Sequence, residues 1–311
     1  MSKGRNKTID IGIEEGIGYL DRVINVRGPL ALSDITDKTI MGDTFDIMGS
    51  LPKEFADLVI VDPPYNIQKD FNGSSFKHTP DEEYAAYTEK WLSLVIPLLK
   101  RTGSIYVCCD WQSGPMIYEV LKKHLIVRNR ITWQREKGRG AKSNWKNGME
   151  DIYFATVSDD YTFNVDAVKL RRRVIAPYKK DGEPKDWEAT EEGNFRNTHP
   201  SNFWDDISIP YWSMQENTAH PTQKSEKLLA KLILASSNEG DMIFDPFLGS
   251  GSTSVTAKKL GRHYAGIERD RQYCIWAEKR LEMADSDKSI QGYTDGVFWE
   301  RNTSREQARK R

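Results

Sequence analysis

The residues best suited to chemistry are Asp62, Pro63, Pro64 and Tyr65, which close the unbroken apolar run Leu58-Val59-Ile60-Val61 and precede Asn66. Asp62 can accept one N–H of a planar amino group, and the carbonyl of Pro63, whose own nitrogen carries no proton, can accept the other. Tyr65 offers a flat face on which a ring can stack. Such a grip suits an exocyclic base nitrogen or an amide. The plainer alternative is a proline-stiffened turn after a core strand.

A second constellation lies far along the chain, where Asp241-Met242-Ile243-Phe244 runs through Asp245-Pro246-Phe247-Leu248 into Gly249-Ser250-Gly251-Ser252-Thr253. Gly249 and Gly251 allow a tight turn and close approach of backbone to a ligand. Glu268, after the next apolar run, is placed to accept both hydroxyls of a ribose. Ser250, Ser252 and Thr253 would suit phosphate, but the stretch has neither the Gly-Lys-Ser/Thr of a P-loop nor a full Gly-x-Gly-x-x-Gly.

These residues need strands and helices to hold them. Leu58 to Val61 reads as a strand buried on both faces, as parallel strands are, and the prolines cannot continue it. Ligands of open α/β sheets bind at that carboxyl edge. Thr39 to Asp43 reads as a short strand ending in Gly-Asp, followed by a helix to about Leu51. Gln68 to Pro80 is a polar loop, a lid over the site or a plain surface loop. Asp81 caps a helix through Val95. Further strands are expected at Ser104 to Cys109, Glu150 to Thr156, Tyr161 to Asn164 and His263 to Ile267. Helices are expected at Ile13 to Val26, at Glu226 to Ala235 and from Ser252 to the stop at Gly261.

Composition bounds the remaining choices. The 311 residues are 38% hydrophobic with a net charge of −1, so no global field draws the chain to nucleic acid or membrane and local charge matters more. Between Lys122 and Lys146 nine basic residues, among them Lys137, Arg139 and Lys142, face the single acid Glu136, with Trp133 and Trp145 interleaved. That mixture suits phosphates and bases. A second cluster holds Lys169, Arg171, Arg172 and Arg173. The cysteines, Cys108, Cys109 and Cys274, fit neither a metal site nor a disulfide framework, Met1-Ser2-Lys3-Gly4-Arg5 leads into no apolar run of leader type, and no stretch approaches membrane-spanning length. A cytoplasmic, metal-free protein is expected.

Asp-Pro-Pro-Tyr after an apolar strand resembles the catalytic motif of amino-group DNA methyltransferases, and Asp245 to Thr253 resembles their S-adenosylmethionine loop. His220-Pro221-Thr222-Gln223-Lys224 resembles the segment that approaches the methionine part of that cofactor. The resemblance implies that Thr222 and Lys224 hold the cofactor's carboxylate and that Asp43 lies near its adenine end, though Asp43 equally suits a helix N-cap. Catalytic motif first and cofactor loop last is similar to the beta class. The implied fold is a Rossmann-like methyltransferase sheet of permuted motif order with an inserted target-recognition region. The implied division is an N-terminal extension (1–38), a catalytic half (39–165), the recognition region (166–216), a cofactor half (217–283) and a tail (284–311).

The activity so implied is methylation of adenine N6 in double-stranded DNA by base flipping, with Lys137, Arg139, Lys142 and Arg171 to Arg173 on the DNA. A homodimer and a cognate restriction endonuclease remain open. Cytosine N4 is the nearest alternative; those members tend to carry Ser where this chain has Asp62, which favours adenine. RNA or protein-glutamine methylation is a further one, and a DNA-binding protein with a degenerate core is the non-enzymatic one.

Overall fold

The apolar runs become neighbours in a single sheet. A computed structural model describes residues 6–303, apart from 67–68, 72–73, 77, 136–142, 175–178, 192 and 302. Its main sheet holds Ile24–Asn25 (β1), Lys38–Met41 (β2), Ala56–Val61 (β3), Leu99–Cys109 (β4), Ile126–Gln134 (β5), Met149–Thr156 (β6), Phe203–Trp204 (β7), Met242–Asp245 (β8) and His263–Glu268 (β9). The spatial order is β1-β2-β9-β8-β3-β4-β6-β5-β7. From β1 to β4 all pairs are parallel, whereas β6 runs antiparallel to both β4 and β5.

The strict alternation of β3 explains why its apolar run is unbroken. Val59 and Val61 pack on one face with Trp91 and Ile117, while Leu58 and Ile60 pack on the other with Leu228 and Val255. Helices Asp81–Val95 (α1) and Gly114–His124 (α2) cover the first face. Helices Glu226–Ser236 (α3), Ser252–Lys259 (α4) and Arg271–Ser286 (α5) supply the second. Each buried aliphatic contributes about 1.5–3 kcal/mol, so polar residues within such a strand would be costly.

Several local expectations are corrected. Asp81 is the first residue of α1 and makes no capping bond; Pro80 occupies the cap position, and Asp81, Glu82 and Glu83 instead place negative charge in the first turn. Tyr161 to Asn164 forms no strand, because Asn164 turns its polar groups to the end of α3, bonding Ala235 O through its backbone and Ser237 O through Nδ2. Ile13 to Val26 divides into a helical turn, Ile13–Gly16, a 3-10 segment, Ile17–Arg22, and the edge strand β1. The loop after Tyr65 contains a short antiparallel pair, Lys69–Phe71 with Ser74–Phe76. Asn66 closes its neck by bonding the backbone N–H and carbonyl of Thr79 at 2.8 and 2.9 Å.

The segment assigned to target recognition, 166–216, supplies three strands of a second, five-stranded sheet, in which Leu170–Arg173 lies between Gly193–Thr198 and Val297–Trp299. The last of these strands belongs to the segment read as a tail, which is therefore folded at least to Glu300. Val168, Leu170 and Phe298 pack this sheet on Ala230 and Leu234 of α3.

Candidate active site

Strands β3 and β8 are adjacent and parallel, Leu58 opposite Ile243 and Val59 opposite Phe244, so both motif loops leave the sheet on one edge. They line a single cleft of about 490 Å³ that includes Asp62, Pro63, Pro64 and Tyr65 on one side and Asp245, Phe247, Gly249 and Ser250 on the other. Permuted chain order is no obstacle, since the sheet edge brings the loops together.

On the β3 side, Tyr65 donates its hydroxyl proton to Asp62 Oδ1 at 2.8 Å, and Lys224 Nζ donates to Asp62 Oδ2 at 2.7 Å. Each carboxylate oxygen keeps a second lone pair for an incoming amino hydrogen. Tyr84 of α1 donates to the Pro64 carbonyl at 3.1 Å and pins the proline pair. Desolvation, reinforced by Asp62, pushes the Tyr65 hydroxyl well above its ordinary range, so it remains a donor. Burial works against the charged form of Lys224, but Asp62 and then Glu150 outweigh it and the ammonium is held more firmly than usual.

Lys224 was expected to hold a cofactor carboxylate. Instead its ammonium is spent on Asp62 and on Glu150, whose Oε2 lies 3.3 Å away. Thr222 does line the cleft, its backbone N–H bonding His220 Nδ1 at 3.3 Å. Ser225 caps α3 by accepting from the Leu228 N–H, which fixes the segment that carries Lys224.

On the β8 side the two glycines have different jobs. Gly249 has φ +55°, and a Cβ there would meet His220 Nε2 at 3.0 Å, so the turn and the histidine form one wall of the cleft. Gly251 has φ +83°, and its Cβ would strike Ala277 at 2.7 Å. It is absent from the lining and serves instead the packing of α4 on α5. Ser252 and Thr253 also line the cleft, but their hydroxyls are tied inward: Ser252 Oγ accepts from Arg280, and Thr253 donates to Asp245 Oδ2 at 2.6 Å. Asp245 also accepts the Phe247 N–H, and burial pushes its carboxyl up to about 7.

Glu268 accepts the N–H groups of Gly249 and Asp270 at 2.8 and 2.7 Å, stapling the glycine turn to the end of β9. Burial pushes it to about 7 as well, against the pull of those hydrogen bonds. Asp43 is a helix N-cap, accepting from Phe45 N at 2.9 Å at the start of Thr44–Ile47, and it also lines the cleft. Of the acids lining the cleft, Asp245 and Glu268 are pushed up to about 7, which leaves Asp43, Asp62 and Asp270 as the charged acids against Lys224 and Arg269. That balance, still acidic, disfavours phosphate and fits a nucleoside that carries positive charge.

The candidate DNA contacts fare unevenly. Lys137, Arg139 and Lys142 lie outside the described residues. The Arg171 side chain is 6% exposed, pairs with Glu188 at 2.8 Å and lies over the rings of Phe195 and Trp299, so it holds the second sheet together and does not face a phosphate. Arg172 pairs with Asp205 at 2.9 Å, and the Arg173 backbone N–H donates to Glu300 at 3.1 Å. Residues not anticipated include Glu150, Tyr87, Cys108 and Tyr273. The last three line the cleft, and Tyr273 packs against His220 with ring centres 4.5 Å apart. Only tertiary proximity marks them.

A doubly wound sheet whose carboxyl edge brings an Asp-Pro-Pro-Tyr loop and a glycine turn into one cleft has the architecture of an S-adenosylmethionine-dependent methyltransferase. The chain belongs to the N6/N4 DNA methylase family, which it matches over residues 56–279, and is a DNA methyltransferase. It is 34% identical over 259 residues to the DNA adenine methyltransferase YhdJ of Escherichia coli strain K12, covering 79% of this chain and 83% of that one. With the type II methyltransferase M.HpaI of Haemophilus parainfluenzae it shares 30% identity over 248 residues, 79% of this chain and 74% of the relative. The PvuII DNA methyltransferase, cytosine-N4-specific, superposes with a TM-score of 0.56 at 17% identity, over 80% of this chain and 90% of that one. The complex of M1.HpyAVI with SAM gives 0.52 at 22%, over 78% and 98%. At those identities the likeness is one of fold. Among the described residues no helix is long and apolar enough to cross a membrane.

Proposed function

We propose that the protein transfers a methyl group from S-adenosylmethionine to the exocyclic N6 of adenine in double-stranded DNA. The observation that carries this reading is Asp62, a carboxylate clamped by Tyr65 and Lys224 with free lone pairs turned to the cleft. Its relative YhdJ is named an adenine methyltransferase, which favours the same base.

When bound, S-adenosylmethionine supplies a methyl on a positively charged sulfonium, a good leaving group. The acids of the lining suit that charge; in this reading Glu268 and Asp43, which line the cleft, take the nucleoside end, and the turn at Gly249 lets the backbone approach closely. The target nucleotide leaves the stack at a cost of a few kcal/mol. Tyr65 stacks on the extruded base. Asp62 and the Pro63 carbonyl accept the two amino hydrogens, which turns the nitrogen lone pair out of conjugation and towards the methyl. Positioning at near-attack distance supplies most of the acceleration. Asp62 also stabilises the positive charge that grows on the nitrogen before a proton leaves. The second sheet is the target-reading surface, and Lys137, Arg139 and Lys142 provide phosphate contacts.

Incubating the protein with labelled cofactor and DNA, then digesting to nucleosides, tests the proposal. Label in N6-methyladenine alone is expected. Label in N4-methylcytosine would move the activity to the other base, and no label in either would remove the reading.

A further inference from the structure

Lys224 is not shared evenly between a catalytic acid and solvent; it is wedged between two carboxylates. Its side chain is 7% exposed, with Asp62 Oδ2 at 2.7 Å and Glu150 Oε2 at 3.3 Å. Glu150 is itself 5% exposed, and its Oε2 makes the ion pair without a hydrogen bond to any described residue. Its other oxygen, Oε1, takes the guanidinium of Arg135. Glu150 stands opposite Trp133 in the pairing of β5 with β6, and that register fixes where its side chain emerges.

An isolated ammonium 2.7 Å from Asp62 would cancel most of the charge that Asp62 is meant to present to a nitrogen turning positive. A second carboxylate on the far side of the same ammonium prevents this. Asp62, Lys224, Glu150 and Arg135 alternate in sign along one row; Arg135, 33% exposed, balances Glu150 from the far side, and Asp62 is the end that opens on the cleft. We propose that Glu150 is a positioning residue for methyl transfer: it divides the charge of Lys224 so that Lys224 orients Asp62 without neutralising it. Resting on the reading of Asp62 as the amino-group acceptor, the assignment gives β6 a part in the reaction although Glu150 touches neither substrate.

The charge row makes a signature that a packing role does not. Glu150→Gln keeps the shape and removes the charge, so single-turnover methylation falls by roughly tenfold to a hundredfold, while cofactor and DNA affinities measured separately stay within about twofold of wild type. Lys224→Met leaves the half-buried Asp62 and the buried Glu150 facing each other with no cation between them. Adding Glu150→Gln to it relieves that repulsion, so the double variant melts above Lys224→Met without any ligand and methylates faster than it. The same substitution therefore harms the wild type and helps the lysine variant.

Independent, additive losses in rate and melting temperature would overturn the proposal. So would a Glu150→Gln protein that melts below Lys224→Met, which makes Glu150 a residue of the fold. Wild-type protein run alongside separates the two levels: if it places no methyl on DNA the functional reading fails, whereas the melting comparison still decides the charge row.

Discussion

Strands β3 and β8 lie side by side, and each delivers an aspartate followed by a proline to the same edge of the sheet. Asp62 has a side chain 22% exposed, opens on the cleft and is held by Lys224 and Tyr65, two side chains that leave lone pairs free. Asp245 is 4% exposed and receives the Phe247 N–H from the loop that follows it and the Thr253 hydroxyl from the helix beyond that loop. Local sequence places an acid at the edge in both cases. What comes to meet it decides whether it faces a substrate or ties a turn. Lys224, brought in by the start of α3, is that difference on one side; Thr253, on the first turn of α4, is the difference on the other.

The largest expected effect breaks this pair apart at Asp62. Asp62→Ala lowers methyl transfer by about a thousandfold or more, while cofactor binding, followed by calorimetry, stays near wild type. Retained turnover would move the chemistry away from β3. In Asp245→Ala the loss takes the other form, a lower melting temperature and weaker cofactor binding, because the loop between β8 and α4 loses its anchor.

How much of this was legible beforehand follows the same division. β3, β8 and β9 were readable because burial on both faces demands an unbroken apolar run, and Gly249 and Gly251 announced the turn. The partners were not. Lys224 and Glu150 come from distant segments, and nothing in Gly148-Met149-Glu150-Asp151 marks Glu150 except its place near the start of a strand. The second sheet escaped for a different reason. Its strands are short and largely polar, such as Leu170–Arg173 and Gly193–Thr198, and one is borrowed from the far end of the chain, so no local periodicity announces it. Gly251 was found for the wrong purpose, since a packing glycine and a ligand-approach glycine look alike in one sequence.

A smaller effect sharpens the comparison through pH. Asp245 has a carboxyl pushed up to about 7 by burial, against roughly 3.9 in an unfolded chain. Between those values the folded state binds a proton that the unfolded state has lost. Stability from this group is therefore present in acid and is lost as pH rises from about 4 through 7, to about 4 kcal/mol at most. Asp245→Asn keeps the hydrogen bonds, with the Thr253 hydroxyl turned round, and removes the titration. Urea unfolding of both proteins should show the wild type losing stability relative to Asp245→Asn as pH goes from 5 to 8. Parallel curves would mean that Asp245 is ionised throughout. Glu268 titrates in the same direction, so part of the wild-type slope persists in the variant.

The smallest effect carries the same lesson to a basic residue. Arg171 sits in a cluster that reads as a phosphate contact, yet its guanidinium lies over Phe195 and Trp299 and pairs with Glu188, which is itself 61% exposed. Arg171→Met keeps most of the packing and frees an acid that water can solvate, so the cost is about 1 kcal/mol of stability. The dependence of DNA affinity on salt should not change, because its slope counts phosphates neutralised. Replacing Lys137, Arg139 and Lys142 by Ala should flatten that slope. If Arg171→Met flattens it too, the arginine reaches the DNA and the second sheet opens on binding; if only the lysine–arginine triple does, residue type alone no more identifies a phosphate contact here than Asp-Pro identifies a catalytic acid.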